Sequence, residues 1–184
     1  PDIASNFKYY VIRPEGRRNY CELNNPKRTL PDLSATALDG KAVPLASLKG
    51  QWLLVSVAGG ACDAACQKHL YLQRQLRESV GKEKDRVDWV WLVNDATSVP
   101  PELTPALQKA TVLRMDAAAL NAWLAPAEGH QIADHLYVVD PMGNWMMRFP
   151  AAMDASGAAK AKRDLERLLR ASSSWDDAGR PGQP

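Results

Sequence analysis

Two cysteines four residues apart, Cys62 and Cys66, follow an apolar run and a Gly-Gly pair. No other stretch constrains the fold as much. The run Trp52 to Ala58 is apolar but for Ser56, which predicts a buried strand. Gly59-Gly60 predicts a turn, and helical spacing begins at the cysteines. Residues i and i+4 share a helix face, so the two sulfurs can share a partner. A thiol at a helix N-terminus also feels the positive end of the helix dipole, which favours its thiolate. The pattern admits a redox pair, a soft-metal site or a structural disulfide. A zinc site needs four ligands, and no such set is evident in the sequence.

The chain on either side predicts an α/β domain. Leu33 to Leu38 reads as a first strand, and Asp39-Gly40-Lys41 as a hairpin-type turn. After the cysteines, His69, Leu72, Leu76 and Val80 recur at helical spacing and predict the face laid on a sheet, with Gly81 as the stop. Val87 to Asn94 is β-rich and apolar. Asp95 to Pro105 reads as a loop, Leu103 to Ala110 as a short helix, and Thr111 to Met115 as a strand. Asp116 can cap a helix that runs through Leu124. Residues 125–133 read as a loop carrying His130. His135 to Val139 and Asn144 to Phe149 form a hairpin around Asp140-Pro141-Met142-Gly143. A last helix begins at Asp154 or Ser156 and turns Leu165, Leu168 and Leu169 inward. This order implies a central mixed sheet flanked by helices, with a parallel βαβ core and an antiparallel edge.

Composition narrows the function classes. The net charge of +2 gives no footprint for nucleic acid. Three cysteines are too few for a disulfide scaffold. No run of about 18 apolar residues is present to span a bilayer. The sequence begins at Pro1, without Met, and reads as a processed segment whose anchoring piece lies upstream. Residues 1–28 read as an arm, 29–172 as the domain, and 173–184, rich in Ser, Gly, Asp and Pro, as a disordered tail.

A cysteine pair after the first core strand, together with a late strand–Asp-Pro-x-Gly–strand hairpin, resembles the thioredoxin superfamily. The stretch Asp39 to Trp52 looks like the lead-in of its TlpA, peroxiredoxin and Sco branches. Three residues between the cysteines is the spacing of the Sco/SenC family, whose members are membrane-anchored copper chaperones and thiol reductants serving cytochrome oxidase. The resemblance covers roughly residues 30–170 and implies a thioredoxin-like fold. It implies copper as the cofactor, with Cys62, Cys66 and His135 as ligands, His135 through the dipeptide Asp134-His135. It also implies a cytochrome oxidase subunit, or another thiol or copper protein, as the partner. The site of action would be the periplasmic face of the bacterial inner membrane, reached through an N-terminal anchor. The arm Tyr9 to Tyr20 looks like the post-membrane linker of small proteobacterial proteins related to oxidase assembly. The sequence departs from the family at Asp63 and Gln67, where the family places proline. If the strands are aligned by the turn, the family's His position falls on Ile132.

Three functions follow as expectations. The first is a Sco-like copper-binding and thiol-redox protein, a metallochaperone that assists oxidase assembly. The second is a metal-free thiol–disulfide oxidoreductase, with Cys62 as the exposed attacking thiol and Cys66 as the resolving one. The third is a thioredoxin-fold binding module without redox chemistry. His69 is a rival ligand, since Cys62, Cys66 and His69 run i, i+4, i+7 on one helical face. Met142, Met146, Met147 and Met153 read as hairpin packing and Trp89, Trp91, Trp123 and Trp145 as core. Cys21 reads as a free thiol or an interchain one. The Cys62 loop lacks the Pro-x-x-x-Thr/Ser-x-x-Cys pattern that a peroxidase of this superfamily needs.

Overall fold

The computed structural model describes residues 22–174 and Gly179. Among the described residues eight strands form one sheet: β1 (Glu22–Thr29), β2 (Ser34–Ala37), β3 (Ala42–Pro44), β4 (Trp52–Ala58), β5 (Val87–Val93), β6 (Thr111–Arg114), β7 (Tyr137–Val139) and β8 (Asn144–Arg148). Their order across the sheet is β1-β8-β7-β4-β5-β6-β2-β3. β4, β5 and β6 run parallel, and every other pairing is antiparallel. The helices are α1 (Ala64–Ser79), α2 (Ala117–Trp123) and α3 (Ala155–Ala171). The architecture is thus the expected thioredoxin-like α/β fold.

The apolar run of β4 has a direct structural cause. Leu53, Val55 and Val57 enter a core with Leu120 and Trp123 of α2, while Trp52 and Leu54 enter another with Leu76 of α1 and Leu165 of α3. Both faces of the strand are covered, so both sets of alternate side chains are apolar except for the buried Ser56. A third cluster gathers Cys62, Leu70, Trp89, Trp91, Val93 and Leu107 at the C-terminal end of β4 and β5. The helix caps are those the sequence predicts: Asp116 accepts from the Ala119 amide at 3.0 Å, and Asp154 from the Gly157 amide at 2.7 Å.

Several expectations are revised. Glu22–Thr29 pairs with β8 as an edge strand, although most of it lies within the stretch read as an arm. Residues 1–21, with Cys21 and the linker resemblance, fall outside the described residues. The inward face of α1 is Leu70, Gln73 and Leu76; Leu72 is only half-buried. Gln73 is a buried amide that apolar periodicity cannot reveal. Its Nε2 donates to the Leu54 and Val90 carbonyls at 2.7 and 2.9 Å. Residues 81–86 and 101–107 are 3-10 segments, and β7 begins at Tyr137 rather than His135. The end of α3 is anchored: Ser172 is fully buried, and Arg86 donates to its hydroxyl and to the Leu169 carbonyl, each at 2.8 Å. Of the expected tail, only Ser173, Ser174 and Gly179 are described.

Leu165 is fully buried between α3 and the sheet. Truncation to alanine removes its transfer energy and leaves a cavity, so Leu165→Ala should lower unfolding free energy by about 2–5 kcal/mol. Urea denaturation should show this as a lower midpoint, while the exposed control Lys160→Ala should shift little.

Candidate functional site

The cysteines lie where the parallel strands end. Gly59 and Gly60 leave β4, Cys62 follows, and Asp63 caps α1 by accepting from the Cys66 amide at 2.9 Å. Cys66 therefore sits in the first turn of a 16-residue helix. Cys62 and Cys66 form a disulfide, with their Cα atoms 5.0 Å apart. Cys62 has φ of 43°, a left-handed conformation uncommon for a residue with a Cβ. Its amide donates to the Gly59 carbonyl at 3.2 Å, and its carbonyl accepts from Gln67 Nε2 at 3.2 Å.

The two glycines are required by what packs over them. Asp95, just after β5, accepts from the Gly60 amide at 2.9 Å and from the Thr97 amide at 3.1 Å. A Cβ on Gly60 would lie 1.9 Å from the Thr97 carbonyl oxygen, and one on Gly59 would lie 2.3 Å from Asp95 Oδ2. Only glycine lets the 95–98 segment close on the cysteine loop. The amide of Gly60 is the main cause holding the Asp95 carboxyl below its usual range. Nothing in the local pattern around Asp95 marks this role.

The exposure of the two cysteines is the reverse of the expectation. Cys62 is 4% exposed and packs among Leu70, Trp89, Trp91 and Leu107; Cys66 is half-buried. The more reachable half of the bond is the helical cysteine.

His69 stands on this helix, and His130 and His135 lie against each other. His135 is buried, its Nδ1 lies 2.8 Å from the Phe149 carbonyl, and its Nε2 accepts from the Ala127 amide at 3.2 Å. The carbonyl assigns the proton to Nδ1, and both ring nitrogens are engaged by backbone. The His130 ring stands edge-on to it at 5.4 Å, with Nδ1 3.4 Å from Asp134 Oδ2. Ile132, the position the turn alignment assigns to the family His, packs against the core and offers its carbonyl to the Tyr137 hydroxyl at 3.0 Å. His69 is half-buried on α1, three residues after Cys66, and interacts electrostatically with His135 and Asp134. Among the described residues no group of three or more His, Cys, Asp and Glu side chains is assembled to hold a metal ion. The methionines Met146 and Met147 are buried in the core beside β7, and Met142 is exposed at the turn.

Burial lowers the pKa of His135 and of His69; Arg148 and His130 add to the effect on His135, and His135 adds to that on His69. Both bind protons more weakly in the folded chain than in the unfolded one, whose histidines titrate near about 6.5. The unfolded chain thus holds more protons as pH falls below that value. The stabilisation is complete above it and is lost as pH drops towards the folded values. Denaturant titrations at pH 7.5 and 5.5 should show this loss, and the pH slope should flatten in His135→Gln.

A family model described as transmembrane-like, thioredoxin-like, C-terminal domain matches residues 52–172, more than half of the chain. No curated protein matches the sequence. Among solved structures, Bradyrhizobium japonicum ScoI with copper bound is 22% identical, with a TM-score of 0.52, over 74% of this chain and 98% of that one. A SCO1/SenC family lipoprotein from Bacillus anthracis is 18% identical, with a TM-score of 0.57, over 80% and 97%. BsSco, a member of the Sco family of cytochrome c oxidase assembly proteins, is 16% identical, with a TM-score of 0.58, over 84% and 99%. At these identities the likeness is one of fold. No helix among the described residues is long and apolar enough to cross a membrane. The strand, Gly-Gly turn and cysteine-bearing helix all fall inside the matched range, and the chain belongs to the transmembrane-like, thioredoxin-like C-terminal domain family, with Sco proteins among its structural neighbours.

Proposed function

We propose that this chain is a Sco-like thiol-redox protein whose working group is the Cys62–Cys66 couple, cycling between disulfide and dithiol. The observation that carries the reading is the bond itself, made at a helix start, with one cysteine half-buried and the other packed inside. A purely stabilising role suits it poorly. The cysteines are four residues apart, and so short a loop removes little entropy from the unfolded chain. The first turn of α1 favours a thiolate on Cys66, the form in which a thiol attacks a disulfide. Thiol alkylation in dithiothreitol and glutathione buffers should reveal one two-electron transition above about −300 mV. Cys66→Ser should abolish it. A bond that dithiothreitol leaves intact in the folded protein would mark it as structural.

Copper as cargo is a second reading, and His69 favours it. Cu(I) prefers thiolate and imidazole ligands, and the reduced pair offers two thiolates. His135 would have to surrender a backbone hydrogen bond to join them. His69 has no such bond among the described residues and lies about one turn along α1 from Cys66. The set Cys62, Cys66 and His69 therefore suits the ion better than one with His135. Titrating the reduced protein with Cu(I) against a chelator should give one equivalent bound, weakened about tenfold or more by His69→Ala. An unchanged affinity would remove His69 from the set.

On this reading the chain works at the periplasmic face of the bacterial inner membrane, held by an N-terminal anchor. Its partner is a cytochrome oxidase subunit or another thiol or copper protein. The likeness to BsSco, to a Sco-family lipoprotein and to the transmembrane-like family supports that placement.

A further inference from the structure

An apolar groove of about 210 Å³ runs along α1 from Gln67, the residue after Cys66. Gln67, Leu70 and Arg74 line it from the helix, Trp89 from β5, and Leu103 and Leu107 from the 3-10 segment opposite. Its two ends differ chemically. Gln67, next to Cys66, donates to the Cys62 carbonyl, so this end is part of the cysteine loop. At the other end Arg74 is exposed and makes no hydrogen bond or ion pair among the described residues. Tyr71, 64% exposed, stands on the same helical stripe as a free aromatic wall. Gln67 and Arg74 are seven residues apart, about 10 Å along the helix axis. An extended peptide covers that distance in about three residues.

We propose that this groove seats an extended segment of the redox partner, whose cysteine joins Cys66 and whose carboxylate, three residues away, meets Arg74. The inference rests on the thiol-redox reading and adds to it the partner's local chemistry: a cysteine, an apolar residue over Leu70 and Trp89, and an acid. It also assigns the roles within the pair. The Cys66 thiolate attacks one sulfur of the partner's disulfide, a mixed disulfide forms, and the partner's other sulfur leaves as a thiolate. Cys62 then loses its proton and attacks the Cys66 sulfur. This closes the Cys62–Cys66 bond and releases the partner's second thiolate. The protein loses two electrons and two protons, and the partner gains two electrons and, on protonation, two protons. Attack through Cys66 follows from its greater exposure: Cys66 is half-buried, whereas Cys62 is buried in a cluster with Leu70, Trp89 and Trp91.

The test uses the reduced full chain and capped tetrapeptides carried as mixed disulfides with glutathione. One set has cysteine, leucine, alanine and glutamate, in both orders; the other has lysine in place of glutamate. The glutamate peptide should react about fivefold faster in one of the two orders, as expected for an exposed ion pair set against a like-charge contact. Arg74→Glu should reverse the preference. In Cys62→Ser the adduct should accumulate on Cys66, whereas Cys66→Ser should trap none. Equal rates for the glutamate and lysine peptides, or an adduct trapped on Cys62, would overturn the proposal while leaving the redox reading intact. No exchange between the wild-type protein and dithiothreitol would instead sink the redox reading beneath it.

Discussion

The hydrogen bond from the Gly60 amide to the Asp95 carboxylate joins the two parallel strands where their chains leave the sheet. β4 and β5 end side by side, with Ala58 opposite Val93, so the segments that follow them must pass close together. The carboxylate takes the amides of both segments, Gly60 from one and Thr97 from the other. The fit leaves no room for a Cβ on either glycine. Held this way, the chain reaches Cys62 in a left-handed turn and starts α1 at Asp63, which brings the two sulfurs together. The site is thus a consequence of where two strands stop.

Burial then sorts the residues that chemistry would otherwise treat alike. Of the two cysteines, Cys62 is closed in by tryptophans and leucines and Cys66 is half-buried at the same cluster. Of the three histidines, His135 is held by backbone at both nitrogens, His130 pairs with Asp134 at the surface, and His69, on the cysteine helix itself, makes no hydrogen bond among the described residues. The same imidazole chemistry is available in each. What separates them is which atoms remain for a ligand or partner after folding has used the rest.

Much of the frame was legible from the chain alone. The bounds of β4 follow from a run apolar at every position but Ser56, because a strand covered on both faces has no polar side to show. The caps Asp116 and Asp154 follow from a short acceptor placed just before a helical repeat. Other features had no local signal. Glu22–Thr29, with Asn24, Asn25 and Pro26 in it, lacks the β-branched alternation of a strand and becomes one through β8 at the sheet edge. Gln73 looks like a surface residue in an exposed helix pattern, yet it is buried because two strand carbonyls lie within its reach. Ser172, a small polar residue at the end of the domain, gives no sign of burial in the sequence, yet it is fully buried with its hydroxyl held by the Arg86 guanidinium, distant in sequence.

The sequence by itself determined the order of elements, the buried central strand and a cysteine pair close enough to bond. These depend on neighbours within a few residues, or on the period of apolar side chains, and both are written in the chain. Only the tertiary structure decided which cysteine is the more exposed, which histidine keeps its nitrogens, and where a groove opens along the cysteine helix. Each of those depends on contacts between residues far apart in sequence. Trp89 and Leu107 cover Cys62, Phe149 and Ala127 engage His135, and the 101–107 segment faces α1 across an apolar gap.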